Sequence, residues 1–132
     1  MLDTEFSNLR ILVVDDQEDV RDMMRAFLTG FGVTQIFEAS DGKAALSFFS
    51  TSEDGVDLII CDWNMPEMSG VELLKQLRVL DPDVPFLMVT GRSDMESVVE
   101  AKSSGVAGYI RKPFLPSALE AKIRILLFRM AA

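Results

Sequence analysis

Residues 10–16 read Arg10-Ile11-Leu12-Val13-Val14-Asp15-Asp16. The run from Ile11 to Val14 is apolar and largely β-branched, with no polar alternation, which is the pattern of a strand covered on both faces. Two carboxylates stand where it ends. Beyond Gln17, the residues Val20, Met23, Met24, Phe27 and Leu28 fall at offsets 0, 3, 4, 7 and 8 and mark one face of a helix. Gly30 and Gly32 end that helix. A buried strand followed at once by an amphipathic helix is the unit from which parallel sheets are wound.

The unit repeats along the chain. Gln35-Ile36-Phe37-Glu38-Ala39 is a less apolar strand, suited to a sheet edge, and Ser40-Asp41-Gly42 opens a helix through Ala44, Ala45, Phe48 and Phe49. A third strand runs from Leu58 to Cys61. Ser69-Gly70 begins a helix with Val71, Leu74 and Leu77 inward, broken by Asp81-Pro82. Pro85-Phe86-Leu87-Met88-Val89 is the fourth strand, and Asp94 is an N-cap for a helix carrying Met95, Val98 and Val99, ended by Gly105. Val106-Ala107-Gly108-Tyr109-Ile110 is a fifth strand, and Pro116 suits the first turn of a last helix with Leu119, Ile123, Leu126 and Leu127 inward. Five strands alternating with five helices predict an α/β, doubly wound fold: a parallel sheet with helices on both faces, joined by right-handed crossovers.

Bulk properties narrow the chemistry. At 132 residues the chain reads as one domain, 1–132, with no repeat or long linker. A net charge of −8 argues against nonspecific nucleic-acid binding, which needs Lys and Arg to neutralise phosphates. It leaves two readings open: a protein that meets basic surfaces or holds a cation, and an acidic surface that serves solubility. Histidine is absent, which excludes Ser-His-Asp and Cys-His nucleophile systems, His-ligated metals and a phosphohistidine on this chain. Cys61, the single cysteine, cannot form an internal disulfide and reads as a small buried hydrophobe. No segment resembles a signal peptide or membrane insertion, so a reducing, cytoplasmic setting is expected.

Ligands of open α/β sheets bind beyond the carboxyl ends of the strands, near the point where strand order reverses. Just past the predicted strands stand Asp15 and Asp16, then Asp62, Thr90 and Lys112. Any one alone is an ordinary polar residue where a strand meets water. Five of them, each after an apolar run, point to a site. Carboxylates about 4 Å apart repel by roughly 4 kcal/mol per pair at an effective dielectric near 20. Lys112 offsets one charge, and a hard divalent cation in an all-oxygen setting offsets the rest, Mg²⁺ rather than zinc or copper. The residues thus predict a Mg²⁺-assisted phosphoryl site with Asp62 as a carboxylate nucleophile.

Four blocks carry a resemblance: Val13-Val14-Asp15-Asp16, Cys61-Asp62-Trp63-Asn64-Met65-Pro66-Glu67-Met68-Ser69-Gly70, Val89-Thr90-Gly91 and Ile110-Arg111-Lys112-Pro113-Phe114. Over a core of about residues 10–128 the chain resembles the receiver domain of two-component response regulators, most closely the stand-alone chemotaxis-regulator (CheY-like) type. The resemblance implies a flavodoxin-like three-layer sandwich with strand order 2-1-3-4-5. It implies that Asp62 accepts a phosphoryl group from the phosphohistidine of a sensor histidine kinase or phosphotransfer protein. Asp15, Asp16, Asp62 and the backbone carbonyl of Asn64 would hold Mg²⁺, with Mn²⁺ as a substitute and Asp15 acting partly through water. Thr90 and Lys112 would engage the phosphoryl oxygens, and the bond between Lys112 and Pro113 would be cis.

The same resemblance makes Thr90 and Tyr109 a switch. It assigns the output to the face of the fourth helix, fifth strand and last helix (α4-β5-α5 in family terms), which would dock on a downstream protein. Ala118, Ile125, Phe128 and Met130 extend the apolar surface of the last helix, a candidate for partner binding or for a weak phosphorylation-dependent dimer of an otherwise monomeric chain. Arg92 and Asn64 would border the path of attacking water, Gly91 leaves room beside Thr90, and Trp63 is expected to be a partly exposed reporter. Met65-Pro66 would fix the turn after Asp62, and Gly70 suits a tight loop-to-helix junction.

Three other readings compete with this one. A haloacid-dehalogenase-like phosphatase also uses an aspartyl nucleophile and Mg²⁺, but places it after the first strand in an Asp-x-Asp pattern, where this chain has Asp15-Asp16-Gln17. A receiver-like scaffold that is never phosphorylated is disfavoured because all five site residues are retained. Glycine-rich nucleotide loops are absent. A fourth possibility is that the chain is the receiver domain of a larger regulator.

Overall fold

The computed structural model describes residues 4–91 and 108–128. Five strands, β1 (Arg10–Val14), β2 (Gln35–Ala39), β3 (Leu58–Asp62), β4 (Phe86–Thr90) and β5 (Gly108–Arg111), form one parallel sheet in the order β2-β1-β3-β4-β5. The helices are α1 (Thr4–Ser7), α2 (Glu18–Phe31), α3 (Gly42–Thr51), α4 (Gly70–Leu80) and α5 (Pro116–Leu127). The helix expected between Asp94 and Gly105, with Met95, Val98 and Val99, lies outside the described residues, as do Arg92 and Met130.

Alternation along each strand divides the core in two. Ile11, Val13, Leu58, Ile60, Leu87, Val89 and Ile110 face α2 and α5, where Met24, Leu28, Leu119, Ile123 and Leu126 are buried. Leu12, Val14, Ile59, Cys61, Phe86 and Met88 face α3 and α4, against Ala45, Val71, Leu73, Leu74 and Leu77. Both faces of β1, β3 and β4 are therefore dry, which is why those strands read as unbroken apolar runs. Gln35-Ile36-Phe37-Glu38-Ala39 is indeed an edge strand.

Local chemistry sets the element ends. Gly32, with φ of 106°, closes α2 in the left-handed conformation and donates its N–H to carbonyls of the last turn, while Gly30 stays within the helix. Asp41 caps α3 by accepting the N–H of Ala44 at 2.7 Å. Ser69 and Glu72 form a reciprocal capping box at the start of α4.

Three features depart from expectation. Residues 4–7 form a helical turn that the apolar pattern did not announce, and Phe6 in it is fully buried. Phe6 meets Phe31 at 6.0 Å and Phe128 edge-on at 5.5 Å between ring centroids, so Phe128 belongs to the core rather than to a surplus surface. Met23 is exposed although its spacing puts it near the buried face of α2; Met24 and Leu28 are the buried residues of that helix. Ala118 and Ile125 are exposed, in keeping with the surplus apolar surface expected of α5, whose inward stripe is Leu119, Ile123 and Leu126.

Candidate functional site

The strand order reverses beside β1, whose two neighbours are β2 and β3, and the carboxyl ends of β1 and β3 carry the acidic residues. Register delivers them together. Val14 is paired with Cys61, so Asp15 and Asp62 are the next residues along adjacent strands, and both lie on the α2 and α5 face by alternation. Asp62 and Thr90 are the last residues of β3 and β4 rather than residues beyond them. The backbone ladder also continues past the strand ends: Asp15 N–H donates to Ala39 O at 3.1 Å, Trp63 N–H to Val89 O at 2.9 Å and Lys112 N–H to Thr90 O at 2.8 Å. The rim is as ordered as the sheet that carries it.

One carboxylate oxygen from each of Asp15, Asp16 and Asp62 lies within 4.8 Å of the others. Asp15 is buried, Asp62 half-buried and Asp16 exposed, so the cluster runs from the core out to solvent. The Lys112 ammonium stands 3.2 Å from Asp62 Oδ1 and 3.9 Å from Asp15 Oδ2. Asp15 Oδ1 also accepts the Gln17 N–H at 2.9 Å. Burial pushes the Asp15 carboxyl above its ordinary range, and the charges of Asp62 and Asp16 add to that, while the Gln17 N–H and Lys112 oppose it. Three anions facing one ammonium leave a net negative pocket of hard oxygen donors, which fits a divalent cation of the magnesium type.

The loop behind Asp62 is held tightly. Trp63 is buried, not partly exposed: it follows Ile59 and Cys61 onto the α3 and α4 face, because β3's backbone pairing runs one residue further than its apolar run. Its carbonyl accepts the Gly70 N–H at 2.9 Å. A Cβ on Gly70 would sit 2.5 Å from the Asp62 carbonyl oxygen and 2.8 Å from Met88 Sδ, so no other residue fits where α4 starts against the end of β3. Asn64 is exposed on this loop, and Pro66 leads into Glu67, which has φ of 68°. That left-handed residue closes a turn in which Met68 N–H donates to Pro66 O at 2.7 Å. Nothing in the sequence marks Glu67, since Gly or Asn is the usual sign of such a backbone.

The other residues named from the sequence are placed as follows. Thr90 is buried at the end of β4, the Lys112–Pro113 peptide is cis, and there is open space beside Gly91. Tyr109 is half-buried on β5 against the α3 and α4 core, with the Lys122 ammonium 5.8 Å from its ring centroid. Cys61 is fully buried, and burial raises its thiol well above the usual value, which keeps it an inert core residue.

Comparison with known proteins agrees with this arrangement. The family described as the response regulator receiver domain matches residues 11–124. The chain belongs to that family. It is a component of two-component signalling with the CheY-like flavodoxin fold. It is 39% identical over 117 residues to a chemotaxis protein CheY homolog of Campylobacter jejuni, covering 87% of this chain and 89% of that protein. It is 37% identical over 118 residues to chemotaxis protein CheY-3 of Vibrio cholerae, covering 88% of this chain and 89% of the relative. Among solved structures, chemotaxis protein CheY4 of Vibrio cholerae aligns with a TM-score of 0.84 and 33% identity over 90% of this chain and 98% of that one. The receiver domain of the Francisella response regulator 1452 aligns with the same score at 31% identity, over 93% and 99%. No helix among the described residues is long and apolar enough to cross a membrane.

Proposed function

We propose that this receiver domain is a phosphoacceptor in which Asp62 takes a phosphoryl group from the phosphohistidine of a sensor kinase or phosphotransfer protein. The observation that carries the reading is the meeting of Asp62 with Lys112 at 3.2 Å and with Asp15 and Asp16 within 4.8 Å, at the switch point of the sheet. In the transfer, a carboxylate oxygen of Asp62 bonds to phosphorus as the phosphorus–nitrogen bond of the donor breaks. Hydrolysis of the acylphosphate then returns Asp62 and releases inorganic phosphate.

Each residue has a physical task. Asp62 lies at the rim, half-buried, where a donor reaches it from outside while its other contacts stay fixed. Lys112 neutralises charge that gathers on the phosphoryl oxygens, and Thr90, at the end of the neighbouring strand, donates its hydroxyl to another of them. Asp15, Asp16, Asp62 and the Asn64 carbonyl are the groups that hold Mg²⁺, or Mn²⁺ in its place. When bound, the ion supplies the positive charge that three clustered carboxylates lack. Positioning and charge neutralisation are most of what phosphoryl transfer asks of a protein.

Phosphorylation adds negative charge and acceptor oxygens beside Thr90. Thr90 and Tyr109 shift in response, and the surface of β5 and α5 changes its fit to a downstream protein. Exposed Leu115 and Ile125 lie on the described part of this face.

Incubation with acetyl phosphate, with and without Mg²⁺, tests the reading by intact mass. Native protein gains one phosphoryl group that is lost on mild alkaline treatment, and the gain needs the metal. Asp62→Asn gains none. Stable labelling elsewhere, or equal labelling of both proteins, overturns the assignment.

A further inference from the structure

Arg21, in the first turns of α2, touches the pocket from behind. Its side chain is 15% exposed, and its Nη1 donates to the main-chain carbonyl of Asp15 at 2.6 Å. Its Nε donates to Glu38 Oε1 on β2 at 3.1 Å. Glu38 is gripped from the other side by Arg25, whose Nε donates to Oε2 at 2.8 Å and whose Nη2 donates to the Ile36 carbonyl at 3.1 Å. The Arg21 fork is therefore aimed by a carboxylate that is itself held.

The Asp15-Asp16-Gln17 turn has few other restraints. Gln17 occupies the N-cap position of α2 without a side-chain cap bond. Asp15 is tied through its own N–H to Ala39 and through Oδ1 to the Gln17 N–H. Its carbonyl, the point from which the chain turns toward Asp16, is the group Arg21 takes. Rotation of that peptide would swing the exposed Asp16 carboxylate away from Asp15 and Asp62.

We propose that Arg21 is a positioning residue for the acidic pocket: through the Asp15 carbonyl it fixes the directions of the Asp15 and Asp16 carboxylates, and Glu38 orients it. The inference deepens the metal-site reading above and rests on it. Two effects of Arg21 on a bound cation have opposite signs. Its positive charge repels the cation, so its removal on charge grounds alone would tighten binding. Its hold on the Asp15 peptide preorganises the ligands, so its removal would weaken binding. The geometry makes the second effect the larger, because the guanidinium bonds a ligand residue's backbone and its charge is already shared with Glu38.

Magnesium titration followed by NMR chemical shifts decides between them, with the metal-free thermal midpoint of every variant recorded alongside. Arg21→Ala is expected to weaken the Mg²⁺ dissociation constant about tenfold, the low end for loss of a group that orients metal ligands. Arg21→Lys, which keeps the charge and one donor, recovers at least half of that loss on a logarithmic scale. Arg25→Ala removes the other arginine on Glu38 but keeps the Arg21 bonds to Glu38 and to the Asp15 carbonyl, and leaves affinity within about twofold of native. Binding by Arg21→Ala that equals or exceeds native, or an equal loss in Arg25→Ala, overturns the proposal. Should Arg21→Ala fail to fold, Arg21→Lys against Arg25→Lys makes the same comparison, a loss confined to the former supporting it. Native protein that binds no Mg²⁺ refutes the metal site itself, a result distinct from any difference among variants.

Discussion

The two ends of the sheet treat buried charge in opposite ways. At the amino end, Arg10 has 19% of its side chain exposed and all its demands met. Its guanidinium donates to Gly55 O at 2.8 Å, to Gln35 Oε1 at 2.9 Å and to Ser52 Oγ at 3.4 Å, and it lies 4.7 Å from the Phe37 ring centroid. Its main chain exchanges hydrogen bonds with Asp57, N–H to Oδ2 at 2.8 Å and Asp57 N–H to carbonyl at 2.8 Å. At the carboxyl end, three carboxylates cluster among the described residues, and the Lys112 ammonium pairs with two of them. The first end is a clasp, complete without a ligand. The second is incomplete by design of its charges, and an unmet charge at a strand end is what distinguishes a site from a structural ion pair.

That contrast can be broken most forcefully at the clasp. Arg10→Met keeps the length and removes three side-chain donors, leaving half-buried acceptors unmet; it is expected to lower unfolding free energy by about 3 kcal/mol in urea denaturation. Magnesium affinity should not change, since Arg10 belongs to the opposite end of the sheet. A change in affinity would show that the ends are coupled.

Lys112→Met tests the other end. Loss of the ammonium should slow labelling of Asp62 by acetyl phosphate about a hundredfold, the usual effect of removing one group that stabilises developing charge. Magnesium should bind more tightly, because a competing cation has gone. Slower labelling with weaker metal binding would mean that Lys112 serves only to hold the fold together.

Gly70→Ala puts strain where the site loop meets the sheet. The added methyl meets the Asp62 carbonyl and Met88 Sδ, so stability should fall by about 2 kcal/mol and metal affinity should fall with it. Stability loss alone would show that the loop yields without moving Asp62.

The smallest effect has the most informative sign. Burial raises the Asp15 carboxyl in the folded protein, so between the ordinary carboxylate value and the raised one the native state holds a proton that the unfolded chain gives up. Its contribution to stability therefore falls as pH rises from the ordinary carboxylate value through the raised one. Asp15→Asn should be about 1 kcal/mol more stable than native near neutral pH without metal, and the advantage should vanish below the ordinary carboxylate range. Added Mg²⁺ should stabilise the native protein more than the variant. A variant less stable at neutral pH in metal-free buffer would place Asp15 among the satisfied groups, like Arg10.

Much of this was legible in the chain. The apolar runs before Asp15, Asp62, Thr90 and Lys112 located both the strands and the rim, because a strand buried on both faces leaves a polar residue nowhere to go but its end. Gly32, Asp41 and Ser69 announced helix ends through local chemistry. The resemblance to receiver domains then supplied the strand order, which periodicity does not contain.

What local pattern could not reach depended on contacts between segments far apart in sequence. Trp63, next to Asp62, is expected to be partly exposed, yet its N–H donates to the Val89 carbonyl and its ring lies in the core. Phe6 stands outside every predicted element, yet Phe31 and Phe128 enclose it. Arg21 is not among the residues that the strand ends point to, and only the packing of α2 beside β2 brings it to the Asp15 carbonyl. The sequence by itself determined which segments are strands, which faces are apolar and which side chains end up at the rim, since those follow from period and local chemistry. The tertiary structure alone decided which of those side chains meet and what holds them, because pairing register and helix packing set distances that no single segment encodes.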